Sequence, residues 1–322
     1  MSALEAIREL EAFVNRHVIG QERLINRLFL ALLADGHLLV EGVPGLAKTT
    51  AVKELAAGLE GDFHRVQFTP DLLPADLIGT EVFRPEEGTF QFQPGPIFHH
   101  CLLADEINRS PAKVQSALLE AMAERQVTVG RVTYPLPDPF LVMATQNPIE
   151  QEGTYPLPEA QRDRFLLHVR VDYPDAEAEH RILRLVREQA HQGHPVREPD
   201  APMLAQETVF EARNQVLDLH MAEPLEEYLV RLVAATRDPA PFGDDLAGRV
   251  EYGASPRATL ALDRCARAHA WLAGRDFVAP EDIQALAPDV LRHRVLLTFE
   301  AEAEGVTQDG LIAALLERVA VS

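Results

Sequence analysis

The fold of this chain is decided by the stretch HLLVEGVPGLAKTT at residues 37–50. It reads as a short apolar strand, a turn rich in glycine and proline, and a lysine with two threonines that open a helix. Phosphate groups are bound by unpaired backbone N–H groups, by a mobile cation and, where Mg²⁺ takes part, by a hydroxyl. The stretch supplies all three kinds of group. It therefore predicts a phosphate-binding loop between a strand and a helix.

Individual residues of this loop have predicted tasks. Gly42 and Gly45 let the backbone curl so that successive amides face one anion. Lys48 would reach the β- and γ-phosphates and Thr49 would ligate the metal, whereas Ala47 departs from the glycine that the general pattern has before the lysine. The chain has only three lysines, and one of them occupies the required position. The predicted loop residues are Gly42, Pro44, Gly45, Leu46, Ala47, Lys48, Thr49 and Thr50.

A second apolar strand, residues 101–104, is followed directly by Asp105 and Glu106. Asp105 would hold the Mg²⁺ shell near Thr49, and Glu106 would take a proton from the attacking water. Two adjacent acids after a strand are more often a solvated turn. Downstream of a phosphate loop they are far more specific, and they predict a nucleoside triphosphatase.

A third apolar strand, residues 140–145, ends in polar residues that include Asn147. Asn147 could orient the hydrolytic water or contact the γ-phosphate from a neighbouring strand end. Taken alone, a turn residue before a proline is the favoured interpretation.

Charge and cysteine content limit the classes of partner. The formal net charge is −20, from 30 basic and 50 acidic side chains, so a nucleic-acid partner is not expected. Cys101 and Cys265 lie far apart and outside any metal-binding spacing, which favours free thiols in a reducing cytoplasm. No apolar run approaches the roughly 20 residues that a membrane span needs, so a cytoplasmic protein without a membrane span is expected.

The chain is expected to form two domains. Up to about residue 190, strands alternate with helices, as in an α/β fold with a parallel sheet flanked by helices. Residues 193–203 contain three prolines and resemble a linker, and beyond them only helical spacing is seen. We predict a nucleotide-binding core at residues 1–195 and a small all-α lid domain at residues 204–322.

Finer elements follow from local signals. The core strands are predicted at residues 37–41, 65–68, 101–105, 140–145 and 165–171. Ser110 and Ser255 each precede a proline and are predicted helix caps. Residues 89–93 read as an inserted strand and residues 126–134 as a β-hairpin turning at Gly130. Both insertions could touch a partner, or could only cover the sheet.

Several of these motifs together resemble the AAA+ ATPases, and within them the MoxR family. They run in family order across nearly the whole chain. The residues that carry the resemblance are GVPGLAKT at 42–49, ADEINR at 104–109, ATQNP at 144–148, PEAQRDRF at 158–165 and GASPRA at 253–258.

The resemblance implies a role for each matching residue. Lys48 and Thr49 correspond to Walker A, and Asp105 and Glu106 to Walker B, with ATP and Mg²⁺ as cofactors. The two insertions resemble the helix-2 insert and the pre-sensor-1 hairpin of this branch. Further correspondences are sensor 1 for Asn147, the arginine finger for Arg164, sensor 2 for Arg257, and the adenine-packing segment for Val18, Ile19 and Gly20.

The arginine-finger assignment leaves an alternative open. Arg162 lies where the family pattern usually has an apolar residue, so either Arg162 or Arg164 could be the finger, and we prefer Arg164. A guanidinium donated by a neighbouring subunit would stabilise charge on the transferring phosphoryl group. A surface ion pair between Arg164 and Asp163 is the simpler interpretation.

The resemblance also implies partners. MoxR proteins act as chaperone-like remodelers in rings, so a hexamer is expected, with a von Willebrand factor A (VWA) domain partner and an unknown client that receives a metal cofactor or is otherwise matured. Two alternatives are a nucleotide-gated binding switch with little turnover and a DNA-dependent motor. The intact Glu106 and Asn147 argue against the switch, and the net charge argues against the motor.

Overall fold

The computed structural model describes residues 1–42, 48–147, 153–192 and 201–321. The chain divides into two compact units. Unit 1 comprises Met1–Leu157 and Val169–Phe210, and unit 2 comprises Pro158–His168 and Glu211–Ser322. The predicted boundary between residues 195 and 204 stays a prediction, because most of that segment lies outside the described residues.

Helices make up most of the regular structure. Their bounds are α1 (Ala3–His17), α2 (Glu22–Leu33), α3 (Lys48–Ala57), α4 (Pro74–Ile78), α5 (Ala112–Glu124), α6 (Glu159–Arg162), α7 (Ala176–Gln192), α8 (Gln206–Asp218), α9 (Glu223–Ala235), α10 (Pro256–Leu272), α11 (Pro280–Leu291), α12 (Phe299–Ala303) and α13 (Gln308–Arg318).

In the described part of the chain, the strands form one main sheet and three short two-stranded ribbons. Their bounds are β1 (Leu38–Glu41), β2 (Phe63–Gln67), β3 (Gly79–Arg84), β4 (Thr89–Pro94), β5 (Cys101–Asp105), β6 (Gln126–Val129), β7 (Val132–Pro135), β8 (Leu141–Gln146), β9 (Leu167–Arg170), β10 (Val250–Tyr252) and β11 (Leu296–Leu297).

The main sheet has the strand order β2-β5-β8-β1-β9, and its pairs β2–β5, β5–β8 and β8–β1 are parallel. The central strands β5 and β8 are buried on both faces, with Leu103 and Met143 fully inaccessible. Continuous apolar runs are typical of such strands, since helices cover both sides of the sheet. The α/β core predicted from the sequence is confirmed, and each of its five predicted strands is present.

The register brings the carboxyl ends of four strands to one edge. Leu39 and Ala104 both pair with Ala144, and Ala104 also pairs with Val66. One residue further along, Gln67 pairs with Asp105. The polar residues that end β1, β2, β5 and β8 therefore lie along one edge of the sheet.

The helix starts follow the capping chemistry only in part. Ser2 and Glu5 form a reciprocal capping box on α1, and the Ser255 hydroxyl caps α10 as predicted. Ser110 does not cap α5. Its hydroxyl donates to the Ile107 carbonyl, and extended Pro111 takes the cap position because the helix begins one residue later.

Both predicted insertions in unit 1 are β-hairpins. Strand β3 pairs with β4, and β6 pairs with β7 around Gly130, whose φ of 62° is a left-handed value that glycine tolerates. The two hairpins contact each other, because the Phe92 and Tyr134 rings stack at 4.1 Å. They form one surface rather than two.

Unit 2 is a helical bundle with one addition. Buried side chains on α9, α10 and α11, such as Tyr228, Leu262 and Ile283, form its core. The sequence predicts helices alone here, but β10 and β11 pair as a short antiparallel ribbon. Strands this short carry no alternating pattern that sequence analysis could detect.

Within the described part of the chain, none of the helices combines the length and the apolar character needed to cross a lipid bilayer.

Candidate active site

The phosphate-loop motif lies where β1 meets α3. Strand β1 is buried, Gly42 follows it, and Lys48 and Thr49 occupy the first turn of α3. Lys48 and Thr49 are half-buried and Thr50 is exposed. Four predicted loop residues, Pro44, Gly45, Leu46 and Ala47, lie outside the described residues.

Lys48 is oriented back across the turn. Its Nζ donates to the Gly42 carbonyl oxygen at 2.6 Å. Burial lowers the pKa of Lys48, and the negative charges of Asp105 and Glu106 oppose that shift. The ammonium group thus sits in the field of both acids that the sequence assigns to the same site.

Asp105 and Glu106 are joined through one hydroxyl of the neighbouring strand. The Thr145 Oγ1 donates to Asp105 Oδ1 at 2.6 Å and accepts from the Glu106 backbone N–H at 2.9 Å. Thr145 is 1% exposed, so this link lies in a dry environment. The two acids are therefore fixed relative to β8 as well as to their own strand.

The backbone of Glu106 is strained. Its φ of 56° and ψ of 50° lie in the left-handed region, which residues other than glycine, asparagine and aspartate rarely adopt. This conformation turns the chain sharply at the end of β5 and separates the directions of the two adjacent carboxylates.

Two residues of β2 complete this corner, and sequence analysis missed both. Arg65 donates to Asp105 Oδ2 at 2.6 Å, and Gln67 Nε2 donates to Glu106 Oε2 at 2.6 Å. We call Arg65, Gln67, Asp105, Glu106 and Thr145 the sheet-edge cluster. The sequence does place a polar residue at the end of β2. It indicates a site residue only when β2 is known to lie next to β5.

Asn147 directly follows β8 and lies at the same edge as Glu106. It is 6% exposed. Its role as the residue that orients water stays a prediction.

The predicted adenine-packing residues form the turn between α1 and α2. Val18 is buried, and Gly20 has a φ of 77°. A Cβ at Gly20 would lie 3.0 Å from the Ala178 Cβ and 3.1 Å from the Pro174 Cβ, so a larger residue would be strained here in both packing and backbone. The turn packs against the start of α7.

The residues expected to hold Mg²⁺ are Thr49 and Asp105. A hydroxyl and a carboxylate are hard oxygen donors, and protein Mg²⁺ sites commonly use one or two carboxylates plus substrate phosphates and water. The donor set therefore fits this ion. Among the described residues, no group of three or more histidine, cysteine or acidic side chains could hold a metal by itself.

The two predicted arginines belong to unit 2. Arg164 is half-buried and lies just after α6, and Arg257 lies in the first turn of α10. Asp163, Ser255, Arg257 and Arg294 are linked by hydrogen bonds, and we call these four residues the Asp163 cluster. Asp163 pairs with Arg257 and Arg294, and the finger role of Arg164 stays a prediction.

Comparisons with known proteins identify the family of this chain. Residues 37–167 match the model of the ATPase family associated with various cellular activities (AAA), and residues 246–315 match the AAA lid domain. The chain is 48% identical to Chaperone MoxR1 of Mycobacterium tuberculosis over 96% of this chain and 80% of that protein. It is 36% identical to Protein MoxR of Methylorubrum extorquens over 98% of this chain and 95% of that protein.

A solved structure is similar over nearly the whole chain. A crystal structure of a protein from Cytophaga hutchinsonii, described as a candidate ATPase, superposes with a TM-score of 0.91. The sequences are 48% identical, and the match covers 99% of this chain and 95% of the other. On these likenesses, the chain belongs to the MoxR family of AAA+ ATPases.

Proposed function

We propose that this protein binds ATP with Mg²⁺ and hydrolyses the γ-phosphate bond. The observation that carries the proposal is the sheet-edge cluster. In it, Thr145 fixes Asp105 and Glu106 by hydrogen bonds, and both acids interact electrostatically with Lys48. Bound Mg²⁺ would neutralise charge that develops on the phosphate oxygens.

Each residue at this edge then has one task. Lys48 contacts the phosphates, Thr49 and Asp105 ligate the ion, and Glu106 accepts the proton of the attacking water. Asn147 orients that water. Val18, Ile19 and Gly20 pack around the base.

Gln67 gives this mechanism a resting state. Its amide donates to Glu106, and Arg109 lies 3.4 Å from the same carboxylate. Both contacts are made to Oε2, so they restrain the orientation of the carboxylate while Oε1 can still accept a proton from water. Turnover is faster when that restraint is released, because the carboxylate can then turn toward the water.

Arg164 and Arg257 act as cations for the nucleotide. Arg164 serves as the arginine finger to the nucleotide of a neighbouring copy, and Arg257 serves as the sensor-2 residue. Both guanidinium groups would stabilise negative charge on the phosphoryl oxygens in the transition state. This assignment requires a ring, for which we propose a hexamer of this chain.

The ring would couple hydrolysis to remodelling of a client protein in the cytoplasm. The core at residues 1–195 would hydrolyse ATP and the lid at 204–322 would respond to the nucleotide. The joined surface of the two hairpins supports contact with another protein, since Phe83 and Phe90 on β3 and β4 are 50% and 68% exposed. A VWA-domain protein would act as partner in maturing the client or inserting its metal.

Hydrolysis per subunit, measured across protein concentration with particle mass in parallel, tests this function. Wild type should gain specific activity as rings form, and Arg164→Ala should assemble yet lose turnover. Activity that is independent of concentration and of Arg164 would place the complete site within one chain. The ring mechanism would then be wrong, and a monomeric nucleotide-gated switch would be the better account.

A further inference from the structure

Asp163 separates the two candidate finger arginines and ends α6. Its side chain is 16% exposed, and both carboxylate oxygens accept hydrogen bonds. An acid beside two arginines in sequence would be expected to pair with them. Instead, its partners come from two distant parts of unit 2.

The first set of partners is the start of α10. Asp163 Oδ2 accepts from the Ser255 hydroxyl at 2.9 Å and from Arg257 Nη1 at 3.4 Å. The same Ser255 oxygen accepts from the Arg257 backbone N–H at 3.2 Å and so caps the helix. One carboxylate oxygen therefore reaches both the cap and the side chain of the sensor-2 arginine.

The second partner is Arg294, which follows α11. Its Nε donates to Asp163 Oδ1 at 2.7 Å, and its Nη2 donates to the backbone carbonyls of Asp163 and Phe165 at 3.2 and 2.7 Å. The Arg294 side chain is 3% exposed. Burial lowers its pKa, and the charge of Asp163 opposes that shift. Arg294 thus fastens the backbone on both sides of Arg164.

The two arginine contacts of Asp163 differ in strength. The Arg294 contact is short and dry, whereas the Arg257 contact is 3.4 Å long and the Arg257 side chain is 62% exposed. An exposed ion pair of this length contributes little and is easily exchanged for another anion. Arg257 can therefore leave Asp163 for a phosphate while Ser255 keeps the helix start in place.

We propose that Asp163 is a positioning residue that joins the turn carrying Arg164 to the helix start carrying Arg257, so that both arginines move as one element. This inference rests on the proposed function, in which both arginines serve the nucleotide. A change felt at the sensor-2 arginine is then transmitted to the finger through the carboxylate of Asp163. The coupling needs no further contact between the two guanidinium groups.

A purely structural role would give different results in an assay. If Asp163 only stabilised unit 2, replacing it would lower the melting temperature, and the folded fraction would hydrolyse ATP normally. A positioning role lowers kcat in the folded protein and leaves nucleotide affinity almost unchanged, because neither arginine is removed.

Asp163→Asn is the main test, with Asp245→Asn as its matched control. Asp245 is an exposed aspartate of unit 2 that accepts from both terminal nitrogens of Arg318 at 2.7 and 2.9 Å. Asp163→Asn is expected to lower kcat at least tenfold with ATP affinity within threefold of wild type. Asp245→Asn is expected to leave both unchanged.

A milder pair keeps the test valid if Asp163→Asn does not fold. Ser255→Ala removes one helix cap and one link to Asp163, whereas Thr307→Ala removes the cap of α13 without any link to Asp163. Ser255→Ala should lower kcat about threefold or more, and Thr307→Ala should leave it unchanged. Equal kcat in both variants would overturn the proposal.

A double-mutant cycle identifies the route of the effect. In an Arg257→Lys background, which keeps the charge but loses the planar guanidinium, Asp163→Asn should lower kcat by less than threefold. A full tenfold loss in that background would mean that Asp163 acts on Arg164 alone, and it would overturn the joint movement of the two arginines.

The proposed function has its own readouts in the same assay. A wild type without ATPase activity would remove the proposed function and this inference with it. An active wild type, inactive Arg164→Ala and Arg257→Ala variants, and a normal Asp163→Asn variant would keep the function and overturn only the inference.

Discussion

The sheet-edge cluster and the Asp163 cluster are both built around carboxylates, yet they use them in opposite ways. At the sheet edge, Glu106 keeps 23% of its side chain exposed and is held by single hydrogen bonds from neighbouring side chains. In the Asp163 cluster, the acid is 16% exposed and is fixed by Ser255 and by Arg294, whose own side chain is 3% exposed. The Glu106 carboxylate stays accessible to water, as its assigned role requires. The Asp163 carboxylate has a positioning role, which does not require access to water.

This difference indicates how each acid should respond to substitution. Removing a reachable acid costs little folding free energy, because its partners can be hydrated. Removing an acid beside a buried arginine leaves a charge poorly compensated, and breaking such pairs typically costs about 3–5 kcal/mol. For Asp163 the cost should be smaller, since the Arg294 guanidinium retains several carbonyl acceptors. Substitution of Glu106 should therefore lower turnover with little loss of stability, whereas substitution of Asp163 should lower both.

The largest expected effect is that of Glu106→Gln. We expect kcat to fall about 1000-fold, as for loss of a general base, with ATP binding and melting temperature retained. Glu124→Gln, an exposed glutamate at the end of α5, is the control. Phosphate release and equilibrium ATP binding measure the two quantities. Turnover within tenfold of wild type would remove Glu106 from its assigned role and break the comparison.

The next effect separates Arg164 from Arg162. Arg164→Ala should lower kcat about 100-fold, the usual cost of losing one electrostatic donor to a transition state. Arg162→Ala should lower it less than threefold, because Arg162 lies 3.8 Å from Glu159 in its own helix. The test compares steady-state turnover of assembled rings. The reverse order of effects would reassign the finger to Arg162.

A smaller effect of opposite sign is expected for Gln67→Ala. The variant frees the Glu106 carboxylate from a 2.6 Å hydrogen bond. If about 1 kcal/mol of that interaction must be lost before proton transfer, kcat should rise about fivefold. Gln308→Ala, at the start of α13, serves as the control. A fall in kcat would mean that Gln67 orients Glu106 for catalysis rather than restraining it.

The smallest effect on turnover is expected for Asp282, a buried acid that belongs to neither cluster. Burial alone would raise its pKa, but hydrogen bonds from His269, Arg275 and the Ala279 amide outweigh burial and hold the pKa well below its usual range. A lowered pKa in the folded state stabilises the protein above about pH 4, and this contribution is lost as the pH falls further.

Asp282→Asn should therefore lower the free energy of unfolding at pH 7 by about 2 kcal/mol and leave kcat unchanged. It should also weaken the loss of stability between about pH 4 and pH 2 that wild type shows. Thermal melting across pH measures both. A kcat loss as large as that expected for Asp163→Asn would mean that any buried acid of unit 2 supports turnover. Asp163 would then have no special position relative to the two arginines.

Sequence reasoning was most successful where one short segment carries the whole signal. The strand at residues 101–105 is confirmed, and Asp105 and Glu106 lie at its end as expected, because an apolar run followed by two carboxylates is a local signal. Ser255 was correctly predicted as a cap for the same reason. The same Ser-Pro pattern gave a wrong cap prediction at Ser110. There the helix begins one residue later, and the Ser110 hydroxyl donates to the Ile107 carbonyl instead.

The parts that sequence could not give depend on strand order and long-range packing. Gln67 meets Glu106 only because β2 neighbours β5, and no local pattern encodes that adjacency. Arg294 meets Asp163 across 131 positions of the chain. The resemblance supplied roles for Arg164 and Arg257, but the carboxylate that lies between their segments became visible only in three dimensions.

The left-handed backbone of Glu106 has a consequence for how this protein can evolve. A residue other than glycine in that conformation costs of order 1 kcal/mol, which asparagine or glycine would largely relieve. Selection for stability alone would therefore favour losing the glutamate. A lineage that no longer needed hydrolysis should drift toward asparagine or glycine at this position and melt at a higher temperature, so glutamate at 106 should persist only where turnover is under selection.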